Sequence, residues 1–175
     1  MVNHRRQPLN CIQLGSDTNK FSTQQGAVMP VITVAYPEGA LPTQNFEHLA
    51  DRLIAASLQA EGIPNVGPFR DFSSVQAVEI PRNQLYTTGR FTDRSTFRVD
   101  ITVHNIIISE RHRRELVKDA TDAVPEAAGL DDHAAEAVWV LLHCVPEGHW
   151  GVSGHPVEHA GVRQSAADHL RGLSA

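Results

Sequence analysis

In this 175-residue chain the residue whose chemistry depends on where the working protein begins is a proline. In the stretch VMPVITVAYPEG, residues 28–39, Pro30 opens a run of alternating apolar residues, Val31, Ile32, Val34 and Tyr36, closed by Gly39. Inside a chain the proline nitrogen is an amide with no basic lone pair. At a chain terminus it is a secondary amine that can carry a proton to and from a substrate. A free α-amine has a pKa of about 7.7–8, and burial in an apolar pocket lowers it by disfavouring the charged form. The competing reading of Pro30 is structural: prolines commonly open edge strands.

A second concentration of reactive side chains lies in HCVPEGHWGVSGHPVEH, where His143, Cys144, His149, His155 and His159 fall close together. Zinc takes such ligands. However, adjacent strand residues point to opposite faces, which separates His143 from Cys144, and Pro156 interrupts any helical pairing of His155 with His159. No metal site is expected. The charged run SERHRREL reads as a solvated helix face, with Glu110 and Arg114 at a favourable spacing.

The elements that must position Pro30 follow from periodicity. Residues 30–36 are rich in β-branched side chains and read as a strand. Thr43 is the expected N-cap of a helix, and Phe46, Leu49, Ala50, Leu53, Ile54 and Ser57 recur on one helical face. Gly62 and Pro64 stop that helix, and SVQAVEI (74–80) gives a second strand ended by Pro81. The second half repeats this order. FRVDITVHN (97–105) is a strand and Ser109 a helix cap, and Leu116, Val117, Ala120, Ala123, Val124 and Ala127 form an apolar face. Pro125 should bend or end the last turn of that helix. AVWVLLHCV (137–145) is a fourth strand, followed by a turn-rich hairpin over 146–154. Aligning the halves sets Leu116 on Leu49, Ala123 on Ala56 and Phe97 on Pro30. The expected architecture is α/β (α+β): two tandem β-α-β units forming a four-stranded mixed sheet with two helices on one face. The fourth strand is apolar on both sides, so the uncovered sheet face is expected to meet another copy of the chain.

The remaining organisation is simple. Residues 1–28 lack periodicity and read as a disordered arm or an upstream extension, 29–155 as the domain (units 30–90 and 97–154), and 156–175 as a C-terminal tail in which Leu170 and Leu173 could anchor a short helix. A formal charge of −5 argues against nucleic acid as a partner, and no apolar run approaches a membrane span. Two distant cysteines, Cys11 and Cys144, fit a reducing cytoplasm.

At MPVITVAYPEG and VWVLLHCVPEGHWGVSG the sequence resembles the tautomerase superfamily, which includes 4-oxalocrotonate tautomerase and macrophage migration inhibitory factor, in its fused two-unit form. The likeness runs from residue 30 to about 155. It implies a homotrimer and a cofactor-independent keto–enol isomerase that acts on a small carbonyl or enol compound. Pro30, once N-terminal, would be the general acid/base, with Phe97 inert in the equivalent place. Val31, Trp139 and Trp150 would supply apolar walls, although Trp150 could equally plug a subunit interface. His104 and Asn105, expected in the turn after the third strand, would hold a substrate oxygen, the alternative being an ordinary surface turn. The arginine that family members often carry before the first helix is absent, since Ala40 and Ile108 stand in the matching turns. A non-catalytic trimeric ligand-binding protein is the alternative, as is a hydratase, decarboxylase or dehalogenase of the same superfamily.

Overall fold

The computed structural model describes residues 30–86, 96–105, 108–131 and 134–172. The expected arm, Met29, the 87–90 end of the first unit and Leu173 lie outside them. Strand β1 (Val31–Pro37) leads into helix α1 (Thr43–Ala60), a short helix α2 (Gly67–Asp71) and strand β2 (Ser74–Ile80). The second unit runs β3 (Phe97–His104), α3 (Glu110–Ala128) and β4 (Val138–Val145). A two-residue hairpin, β5 (Gly151–Val152) and β6 (His155–Pro156), precedes a last helix, α4 (His159–Gly172).

The sheet order is β2-β1-β3-β4. Each unit pairs its own strands in parallel, with Val31 beside Ser74 and Phe97 beside Val138. The units meet antiparallel through β1 and β3, with Val31 facing Thr102. This register brings the starts of β1 and β2 and the ends of β3 and β4 to one edge of the sheet. The connections bring the C-terminus of α1 and the N-terminus of α3 to the same edge. Pro30 therefore lies where both units converge.

Alternation along the strands builds the core. Ile32, Val34 and Tyr36 of β1 and Phe97, Val99, Ile101 and Val103 of β3 are buried against Leu49 and Leu53 of α1 and Leu116, Ala120 and Val124 of α3. Among the described residues, all members of this cluster lie after Pro30. The opposite face of the sheet is open: Val78 is 42 % exposed, Trp139 52 % and Leu141 39 %.

Helix ends follow the sequence closely, with one correction. Ser109 caps α3, its Oγ accepting from the His112 N–H at 3.2 Å. Thr43 does not cap α1; Pro42 holds that position with no side-chain cap bond, its extended ψ of 132° turning the chain into the helix one residue early. At the other end, Gly62 takes φ +68°, and the Gly62 and Ile63 N–H groups return to Gln59 and Leu58. Pro125 sits in the closing turn of α3, and the helix stops at Gly129, φ +64°. Val117 is another correction: it is 36 % exposed, one residue off the stripe formed by Leu116, Ala120, Ala123, Val124 and Ala127.

The largest correction is the C-terminal segment. Instead of a tail it forms α4, which buries Val162 and Ala166 against Leu58, Ile63 and Phe69 in a second apolar cluster joined by Val157 and Trp150. The anchor is not Leu170, which is 53 % exposed. The burying residues, Val162 and Ala166, are four apart and small, which gave the segment little apolar contrast as a sequence. The hairpin aims the chain into this helix. Ser153 and Gly154 both take positive φ, 53° and 82°, which suits a two-residue turn between β5 and β6.

Candidate active site at the proline edge

Pro30 is buried, and its carbonyl accepts from the Ser74 N–H at 3.1 Å, tying the head of β1 to the start of β2. Four acidic or imidazole side chains, Glu61, His104, Glu147 and His159, gather at the same edge.

Glu61 is the C-cap of α1 and only 3 % exposed. Its Oε1 accepts from the His104 N–H at 3.1 Å, while Oε2 has no partner among the described residues. Burial pushes this carboxyl up to about 7, against the pull of the His104 N–H. The negative end of the α1 dipole works in the same direction as burial. An acid at a helix C-terminus breaks the usual charge preference, and such local conflicts concentrate at functional sites.

His104 is not in a turn. It is the last residue of β3 and completely buried. Its ring stacks on Trp150 at 4.9 Å and meets His159 edge-on at 4.5 Å. Neither ring nitrogen has a hydrogen-bond partner among the described residues. Burial, then the neighbouring His159, lower its pKa to about 4 against the opposing pull of Glu147, so the ring is neutral near pH 7. Glu147 holds the start of α4: Oε1 accepts from the His159 N–H at 3.0 Å, and Oε2 contacts His159 Nδ1.

Asn105 is exposed, its N–H donating to the Val145 carbonyl at 3.0 Å and its Oδ1 accepting from Arg113 Nη2 at 3.0 Å. Arg113, in the first turn of α3, also lies 3.7 Å from Glu110, and its Nε is buried without a partner among the described residues. A cation thus stands at this edge, placed by the helix rather than by the preceding turn. Arg114 pairs with Glu110 at 3.2 Å.

Of the residues singled out in the sequence, the structure brings Pro30, His104, Asn105 and Trp150 to one end and leaves Trp139 out. Trp139 pairs with Arg98 at the far end of the sheet, on the open face. The histidines of the 143–159 stretch are also dispersed: His143 bonds Asp100 at 2.9 Å, and among the described residues no group of three His, Cys, Asp or Glu side chains could hold a metal ion. Sequence reasoning missed Glu61, Arg113 and Glu147, and weighed His159 only as a metal ligand. Glu61 had a readable signal: it continues the buried series Leu49, Leu53, Ser57 at steps of four, immediately before the stop glycine. The other three are joined by tertiary contacts that no local pattern encodes.

Chemically, this edge combines a carboxyl that titrates near neutrality, a neutral imidazole, a guanidinium and apolar cover. Such a set can bind an oxygen-bearing organic molecule and exchange protons with it.

Residues 99–160 match the family model described as tautomerase enzyme. Among curated protein sequences, none matches this chain. Solved structures share the architecture at low identity. One is a member of the cis-3-chloroacrylic acid dehalogenase family, 15 % identical, with a TM-score of 0.62 over 82 % of this chain and 98 % of that one. Another is a fused 4-OT described as an asymmetric trimer, 16 % identical, with a TM-score of 0.59 over 73 % and 95 %. A third, described as inactivated by 2-oxo-3-pentynoate, is 19 % identical, with a TM-score of 0.59 over 74 % and 97 %. The second unit thus carries the sequence pattern of a tautomerase unit, and the described residues share the tautomerase fold.

Proposed function

We infer that the protein is a cofactor-independent tautomerase in which the Pro30 amine, freed as the N-terminus, moves a proton between carbon and oxygen of a small keto or enol compound. The observation that carries this reading is the burial of Pro30 at the edge where Glu61, His104 and Arg113 converge. An amine placed there is desolvated, which brings its pKa toward neutrality. Asn105 and Arg113 are positioned to take a substrate oxygen or a carboxylate. Trp150 excludes water from one side. Trp139 takes part only if a neighbouring subunit brings it in. The open sheet face, with Val78, Trp139 and Leu141, supports a homotrimer, in line with the trimeric fused 4-OT of similar fold. The free Cys144 thiol is in keeping with a cytoplasmic setting.

The test compares two forms of the chain. One starts at Met29 and loses that methionine, because proline is a small second residue; the other is the full 175-residue chain. The short form is expected to ketonise an aryl enolpyruvate and the long form to be far slower, since its Pro30 nitrogen is an amide. Equal rates in both forms, and in a Pro30→Ala short form, would exclude Pro30 as the base and favour a ligand-binding protein.

A further inference from the structure

The backbone at the proline edge locates Glu61 relative to the Pro30 nitrogen. Along a strand, successive N–H groups point to opposite neighbours. The Asn105 N–H donates to Val145 of β4, so the His104 N–H points the other way, toward β1. In the β1–β3 register Val31 faces Thr102, so His104 lies two positions past the first residue of β1, beyond Pro30. Glu61 Oε1 takes the His104 N–H there. The carboxyl thus stands just beyond the head of β1, on the side of Pro30 that carries its nitrogen.

The other carboxyl oxygen is buried and unpartnered among the described residues. Buried polar atoms are nearly always satisfied, and an orphan asks for an explanation. Within a chain Pro30 has no hydrogen on nitrogen and can offer nothing. As a first residue it has one N–H when neutral and two when protonated. We propose that Glu61 is the hydrogen-bond partner of the Pro30 amine, its Oε2 accepting an N–H that exists only when Pro30 is the first residue. This rests on the reading of Pro30 as a freed amine. It makes Glu61 a positioning residue: it orients the amine's lone pair and shares its proton. When the amine takes a proton from substrate carbon, the carboxylate stabilises the ammonium until the same proton is returned to the neighbouring position. The amine and carboxyl then titrate as a pair. The other ionisable groups at this edge are His104 of β3, His159 of α4, Glu147 ahead of the hairpin and Arg113 of α3, and both forms of the chain carry all four.

Two nuclear magnetic resonance titrations test the pairing. The first follows the Pro30 nitrogen in the short form. Glu61→Gln keeps an acceptor and removes the charge, so the amine midpoint is expected to fall by about one pH unit or more. The second follows the Glu61 carboxyl in the unsubstituted protein. In the full chain it titrates at about 7, and it should move down in the short form, where a cationic amine stands beside it. An unchanged carboxyl midpoint between the two forms overturns the pairing, even if Glu61→Gln does not fold. An unchanged amine midpoint in a folded Glu61→Gln protein does the same. Ketonisation is scored separately. Shifted midpoints without turnover would sink the tautomerase reading and keep the pair, and turnover with unshifted midpoints would do the reverse.

Discussion

Trp150 lies flat on His104, ring centroids 4.9 Å apart and planes inclined by 17°. The contact joins the hairpin to the end of β3 and sets the roof of the proline edge, because Trp150 also packs into the cluster under α4. Trp150→Ala should destabilise the fold by about 2–3 kcal/mol, part from lost burial and part from the lost stack. Trp150→Phe should recover more than half of that. Denaturant midpoints at constant slope measure both.

The buried carboxyl and imidazole predict opposing pH dependences in the full chain. Glu61 has its folded pKa raised to about 7, so its contribution is fully present below the ordinary carboxyl range and is lost as pH rises through 7. His104 has its folded pKa lowered to about 4, so the unfolded state takes up a proton first as pH falls, and stability drops on acidification from about 6.5. Between about pH 4.5 and 6.5 the two slopes oppose, and the unsubstituted protein should be nearly flat there. Glu61→Gln should leave stability rising with pH across that window, and His104→Phe should leave it falling. The full swing for either group is on the order of 3 kcal/mol. Urea unfolding at four pH values decides the matter: variants that both tilt the same way would mean these groups are not buried as described.

Arg113 should matter to binding more than to folding. It is one-third exposed, and its bonds go to Asn105 and Glu110 on the surface. Arg113→Ala is expected to cost less than about 1 kcal/mol of stability. For a substrate bearing a carboxylate it should raise KM roughly tenfold, the loss of one charge-assisted contact. A neutral enol of similar shape should be indifferent to the change.

Helix α4 is part of the domain rather than an appendage. Ending the chain after Pro156 uncovers Leu58, Ile63 and Phe69 together. The shortened protein should melt at least several degrees lower and expose amides at the end of α1 to hydrogen exchange. A melting temperature identical to that of the full chain would show that the second cluster contributes nothing.

The open sheet face should carry the self-association. Leu141→Glu places a charge beside Trp139 on the open face without touching the core, since Leu141 is already 39 % exposed. Light scattering is expected to show an assembly for the unsubstituted chain and a folded monomer for the variant. A monomer in both would remove the reason given for those exposed apolar residues.

What the sequence determined by itself was local and periodic. Alternation in β1 and β3, the three-and-four stripes of α1 and α3, the Ser109 cap and the stops at Gly62 and Gly129 each depend on residues a few positions apart. Two such units imply a right-handed crossover twice, and the four-stranded sheet follows. The site depended on longer distances. Glu61 meets His104 across 43 residues, and Glu147 meets His159 across the hairpin. Whether His104 ended in a turn or under a tryptophan depended on where α4 docked, and α4 carries only Val162 and Ala166 as buried apolar signals. Trp139 shows the same division. Its apolar strand was legible, but the antiparallel join of β1 to β3 put it at the far end from Pro30. Periodicity tells a residue which face it occupies; only the pairing of strands and the docking of helices tells it which neighbours share that face.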